Sequence, residues 1–397
     1  MSRFSLLTLL GWLAVVVVAR LARGRLYATF VGVMVGIHSL VALGVAPHVG
    51  RLLPVYAVLH ATVYVHFLLL ARPRLRPLAY RVLVSMPASF FVAGTFMAFP
   101  WAIVGTVVHP WGYWIPYAVA AVGLLQSLFG REDEVDVVVG DGDVAALAPH
   151  RPGRHREQRP LRLVQITDPH LGPFMSVQRL HRICERAVAR DPDLVLLTGD
   201  FLTMESQDDV RHLETALAPL SALRGKVFAC MGNHDHEAPE IVRTALARNG
   251  VRLLVDEATD VETPVGPVQI VGLDFHFRDR AQRIPAVFDR IERTPGAFRL
   301  VLLHDPGAFR HVPEGEGDLV LSGHTHGGQV GLISLGGVWT FLRLFGTSMP
   351  DHGFWARGRD RLYVHRGTGH YGFPVRLGVP NEESVLLVHQ VRREGAS

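Results

Sequence analysis

The chain has 397 residues, 49% of them hydrophobic, and a formal net charge of +4. That length suits two domains. A basic balance often points to nucleic acid, but much of the excess here is arginine in loops between apolar segments, so no nucleic-acid partner is expected. The averages also hide a split: no Asp or Glu precedes Glu132, and the basic residues before it are all arginine, whereas charge of both signs is dense afterwards.

Apolar stretches open the chain at about 4–19, 27–47, 52–71, 82–108 and 112–130. A bilayer needs roughly 20 mainly apolar residues per helix, so residues 1–130 read as an all-α transmembrane domain of about five spans. The first stretch is short and follows Arg3, as in a signal peptide, but Arg20 stands where a small-residue cleavage site would be. The first loop holds Arg20, Arg23 and Arg25, and the third holds Arg72, Arg74, Arg76 and Arg81; the second has Arg51 alone and the fourth none. Arginine collects on the cytoplasmic side. Five spans then place the amino terminus outside and the hydrophilic half in the cytoplasm, with membrane lipids as partners. His38, His60 and His66 fall inside the spans, where an interhelical hydrogen bond is the ordinary reading and a functional role the other.

Residues 131–160 read as a linker: an acidic patch from Glu132 to Asp136, then Gly, Pro and His with Arg151, Arg154, Arg156 and Arg159, suited to water or to a lipid surface. From Leu161 to the end at 397, apolar runs alternate with helical spacing at Val177 to Arg190, Val210 to Leu223 and Pro239 to Arg248. This predicts an α/β sandwich around one core. Cys184 and Cys230 fall in apolar patterns without metal or redox spacing, and are expected as buried free thiols.

Five apolar runs end in potential metal ligands. LRLVQIT leads to Asp168-Pro169-His170, DLVLLTG to Asp200, KVFACMG to Asn233-His234-Asp235, FRLVLL to His304, and DLVLSG to His324-Thr325-His326. Such runs read as buried strands, and open α/β sheets carry their sites at strand carboxyl ends. Oxygen and nitrogen donors in this mixture suit Mn, Fe, Zn or Mg. Phosphate ester hydrolysis needs a nucleophile at neutral pH and a counter-charge for the phosphoryl oxygens. Two divalent metals about 4 Å apart, held by a bridging carboxylate, supply both.

These motifs, in the order D-x-H, GD, GNHD, H and GHTH, resemble the calcineurin-like metallophosphoesterases over about 161–391. Thr167 to Pro173, Gly323 to Gln329, Arg366 to Gly369 and Pro374 to Arg376 are similar to its membrane-spanning YkuE/YaeI-type branch, with Pro169 where Leu is usual. The resemblance implies a four-layer double β-sandwich flanked by helices. It implies two divalent ions, with manganese expected. Asp168, His170 and His326 would bind the first, Asp200 would bridge, and Asn233, His304 and His324 would bind the second. His234 would contact the phosphoryl group, and Asp235 would orient His234. Arg376 is a candidate phosphate clamp, with a structural ion pair as the alternative. His236 and His370 neighbour the site. The implied substrate is lipid-linked, such as UDP-2,3-diacylglucosamine of lipid A synthesis at the cytoplasmic face of a bacterial inner membrane. Phospholipid or isoprenoid phosphates are the alternative. A reading of another class makes the membrane half a sensor or transport module and the soluble half regulatory.

Overall fold

The computed structural model describes residues 2–139, 142–151, 159–370 and 372–390. Among the described residues, four helices are long and apolar enough to cross a membrane: α1 (Arg3–Arg23), α2 (Arg25–Val45), α3 (Leu53–Leu70) and α4 (Leu78–Met97). At 1.5 Å per residue, helices of this length match a hydrocarbon core of about 30 Å. The fifth expected span is not of that length. Its helix, α5 (Ile115–Leu128), has 14 residues, which gives roughly 21 Å. Pro110 and Gly112 keep the preceding segment in turns, and β-structure begins at Gly130.

The membrane helices are joined by a polar chain. His60 reaches Thr8 Oγ1 of α1 through Nε2 (3.1 Å), His38 Nε2 of α2 through Nδ1 (3.1 Å) and Tyr64 OH (2.9 Å). With lipid outside as apolar as the side chains inside, such bonds hold helices together where the hydrophobic effect does not. This supplies the interhelical bonding expected for His38 and His60. His66 instead faces Glu205 of the hydrophilic half at 3.9 Å.

That half is a sandwich of two mixed sheets. One has the order β1 (Gly130–Val139), β13 (Asn381–Gln390), β3 (Leu161–Ile166), β4 (Leu194–Leu197), β5 (Val227–Ala229) and β6 (Arg252–Leu253). The other runs β2 (Val144–Pro149), β11 (Gly353–Gly358), β12 (Asp360–Val364), β10 (Leu319–Ser322), β9 (Phe298–Leu302), β8 (Gly266–Gly272) and β7 (Glu257–Thr263). Side chains alternate faces along a strand. Leu161, Leu163, Leu194 and Leu196 therefore meet Leu300, Leu302, Leu319 and Leu321 between the sheets. Val164, Ile166, Val195 and Leu197 face outward beneath α6 (Val177–Ala189), α7 (Val210–Leu217) and α8 (Pro239–Arg248). Beyond the second sheet, α9 (Arg280–Phe288) covers Val271, Val301 and Val320. Both faces are covered, so the strands read as unbroken apolar runs. The architecture is the expected four-layer sandwich preceded by apolar helices.

The described part of the stretch expected as a linker is largely sheet. β1 pairs in parallel with β13 along its whole length, and β2 pairs antiparallel with β11. Within EDEVDVVV a period of two was present. Val135, Val137 and Val139 pack on the inter-sheet core, while Asp136 lies 3.4 Å from His389. Glu134, exposed, and Asp136, half-buried, lie on the other face of this edge strand. Arg159 pairs with Asp193 at 3.0 Å; Arg154 and Arg156 lie outside the described residues. Cys184 and Cys230 are buried and free. A Val137→Asp substitution would place an unpaired charge between the sheets. It is expected to lower unfolding free energy by at least about 3 kcal/mol, read by denaturant titration of the purified protein; an unchanged midpoint would mean that residues 130–139 do not belong to the sandwich.

Candidate metal centre

The carboxyl ends of β3, β4, β5, β9 and β10 converge, and each carries its ligands in the first residues beyond the strand. The backbone there is unusual. Of nine non-glycine residues with positive φ among those described, five are Asp168, His170, Asp200, His324 and His326. Side-chain-bearing residues avoid this region, and its use clusters at functional sites. The glycines before the ligands have a steric cause. A Cβ on Gly232 would overlap the Asp200 carboxylate, and one on Gly323 would overlap that of Asp168.

Among the described residues two groups result, buried except for the half-buried His324: Asp168, His170 and His326 in one, Asp200, His304 and His324 in the other. In the first, His170 Nε2 lies 3.2 Å from His326 Nε2, which is 3.5 Å from Asp168 Oδ1. In the second, His304 Nε2 is 3.3 Å from His324 Nδ1 and 3.2 Å from Asp200 Oδ2. Asp200 Oδ2 also approaches His170 Nε2 at 3.7 Å, so its carboxylate stands between the groups. Asn233 follows Gly232 against Asp200, and its Oδ1 has no hydrogen-bond partner among the described residues. His324 and His326, two residues apart, serve different groups, as the alternating reading of that motif expects.

The donor set fits divalent cations. Ligand atoms about 2.1 Å from one tetrahedral ion are themselves spaced by roughly 3.4 Å, close to the nitrogen–nitrogen distances here. The electrostatics agree. Burial, reinforced by Asp200, pushes the Asp168 carboxyl up to about 6. Burial also pushes the His170 imidazole down to about 3. Although burial opposes it, Asp200 and Asp168 hold the His304 imidazolium up to about 10. The site thus favours positive charge at this point, which a bound divalent ion would supply in exchange for the proton.

Surrounding groups fix the ligands in place. His304 donates from Nδ1 to the Thr198 carbonyl (2.6 Å), which turns the lone pair of Nε2 inward. Thr167 Oγ1 and the His324 amide donate to Asp168, and the His234 amide donates to Asp200 Oδ1.

Two expected roles differ in the structure. The Asp235 carboxylate accepts from the backbone amides of Asp200, Phe201 and Gly232, each at 2.8 Å, and so ties two ligand loops together. The carboxylate on His234 is that of Glu237, 2.8 Å from Nδ1. The short 3-10 turn Asp235–Glu237 brings residue i+3 back over His234, a spacing visible in the sequence but not decisive without the turn. Arg376 is fully buried and is no phosphate clamp. Its guanidinium donates to the carbonyls of Arg366 and Gly369 and lies 3.2 Å from His326 Nδ1. It braces the His326 loop from behind. His236 pairs with Asp274 at 3.0 Å, outside both groups. Arg376→Lys loses the planar fork; it is expected to weaken metal retention by the His326 group alone, so that metal analysis after dialysis falls towards half of the wild-type content. Full retention would remove the bracing role.

Comparison with known proteins follows this geometry. Residues 161–328 match the Calcineurin-like phosphoesterase family model. An uncharacterized metallophosphoesterase of Helicobacter pylori is 28% identical over 233 residues, covering 57% of this chain and 59% of that protein. Phosphodiesterase YaeI of Escherichia coli is 27% identical over 232 residues, covering 57% and 82%. UDP-2,3-diacylglucosamine pyrophosphatase LpxG of Chlamydia muridarum is 27% identical over 260 residues, covering 53% and 78%. The match thus spans less than two thirds of the Helicobacter protein. Over residues 161–328, the chain is thus similar to the calcineurin-like phosphoesterases.

Proposed function

We propose that this protein is a membrane-bound, two-metal phosphoesterase that cleaves a phosphate ester or pyrophosphate bond of a lipid-linked substrate. The observation that carries the reading is the Asp200 carboxylate between two buried ligand groups, 3.2 Å from His304 and 3.7 Å from His170. Divalent ions bound there would supply an acidified water and a counter-charge for the phosphoryl oxygens. Manganese is our expectation for their identity. The chain's own part is orientation and proton transfer. Asp168, His170 and His326 would hold one ion, and Asn233, His304 and His324 the other. His234 stands beside His170, with ring centroids 5.6 Å apart, and is partly open to solvent. Glu237 holds Nδ1 and so orients the ring from which Nε2 would protonate the leaving oxygen.

The lipid-linked substrate is supported by how the halves meet. Arg81, at the start of α4, donates to the Pro173 carbonyl three residues beyond His170, and Arg179 reaches the Ser127 and Leu128 carbonyls at the end of α5. The name of the Chlamydia relative suggests UDP-2,3-diacylglucosamine as the compound to try. Arg81 of the third loop meets the catalytic half, which supports the reading that the Arg-rich loops and that half lie together in the cytoplasm. His48 and His109, 3.0 Å apart, join the two opposite loops.

With Mn2+ in detergent, hydrolysis of UDP-2,3-diacylglucosamine is expected to exceed that of bis-p-nitrophenyl phosphate, and Asp200→Asn is expected to abolish both. Cleavage of the generic diester alone would retain the chemistry and remove the substrate. No cleavage by metal-loaded protein would favour a sensor or transport role for the helices. Glu237→Gln should lower kcat by roughly 10- to 100-fold with metal content unchanged; wild-type kcat would leave His234 without need of that carboxylate. For topology, Val107→Cys should react with an impermeant maleimide on intact cells and Arg74→Cys only after lysis, and the reverse pattern would invert the assignment.

A further inference from the structure

A cavity of about 180 Å3 lies between the membrane helices and the first ligand group. Phe30, Met34, Phe67 and Val92 of α2, α3 and α4 form one side; Phe174 and the ligand His170 form the other. An apolar space walled by membrane helices therefore opens onto the metal centre. Its polar lining includes Tyr27, His66, Ser89, Thr203, Glu205 and His370. His66 and Glu205 face each other at 3.9 Å. His370 is 7% exposed, and its Nε2 has no hydrogen-bond partner among the described residues. An unpaired buried nitrogen at the wall of an apolar pocket is the pattern of a site for an amphipathic molecule.

We propose that this cavity is a slot for a single hydrocarbon chain of the phosphate ester, with the polar head at His370 and the phosphoryl group at His170. The proposal rests on the phosphoesterase reading above and adds the chain that the substrate must carry. The size sets the number of chains: pockets for drug-sized ligands run from about 300 Å3 upward, and this one is smaller. A chain entering from the bilayer exchanges one apolar surrounding for another and gains little. The slot's effect on a membrane-borne substrate is therefore placement of the phosphorus over the metal groups. For a soluble ester entering from water, each buried methylene adds up to roughly fourfold in binding.

The test uses the full-length, metal-loaded protein in nanodiscs and p-nitrophenyl alkyl phosphodiesters from methyl to octyl. In the wild type, kcat/KM should rise roughly two- to fourfold per methylene and then level off. Ser89 lines the slot and is no metal ligand. Ser89→Phe, and independently Met34→Trp, should flatten the series while the methyl ester is cleaved at the wild-type rate, which also shows that each variant is folded. A rise equal in wild type and variants, or no rise, overturns the slot and leaves the phosphoesterase reading standing. If no ester is cleaved, that reading fails, and the slot is judged by photocrosslinking with an octyl phosphate bearing a terminal diazirine. Labelling of Met34 or Phe67 that Ser89→Phe suppresses supports the slot; labelling indifferent to the substitution overturns it.

Discussion

The structure depends on concentrating carboxylates and imidazoles where no water can solvate them. Asp168, Asp200, His170 and His304 are each almost wholly buried at one end of a sandwich. Left alone, such a cluster repels itself and forfeits its hydration. Three devices make it tolerable. Backbone amides donate to the carboxylates, and Asp235 gathers the amides of two ligand loops. The imidazole–carboxylate arrangement leaves room for positive charge. The strands beneath, packed on both faces, hold the loops in left-handed conformations that an isolated turn would not keep.

The same sandwich is joined to the membrane helices more closely than a tether requires. α5 ends at Leu128, and β1 begins at Gly130 and runs along the edge of the first sheet. Val375 and Leu377, on either side of Arg376, crowd Gly123 of α5 so closely that a Cβ there would overlap Val375. Around this contact the segment 332–345 exposes Leu335, Trp339, Leu344 and Phe345. An exposed apolar group of this kind beside a membrane helix fits a bilayer surface better than water. The metal centre, the helices and the apolar segment thus share one side of the molecule.

The candidate donors were legible because donor chemistry is a local property. Each sits immediately after a run of buried apolar residues, and five such runs repeat one pattern. The layered fold was legible for the same reason, since strands buried on both faces cannot be polar. The length of the fifth helix was less so: 112–130 is apolar enough, but proline, glycine and the onset of β1 shorten it. The linker was misread because an edge strand with one wet face has the composition of a loop.

Which atom meets which was decided only by the tertiary structure. Arg376 has the chemistry of a phosphate ligand, yet the packing of its loop turns the guanidinium onto carbonyls and His326. Asp235 adjoins His234 in sequence, yet it faces the backbone, and the 3-10 turn passes the orienting role to Glu237. The cavity beside His170 is assembled from residues as far apart as Phe30 and Phe373. Sequence by itself determined which side chains could bind metal, because donor chemistry and strand burial are local. Their directions, their supports and the space beside them came from long-range packing, which no local pattern encodes.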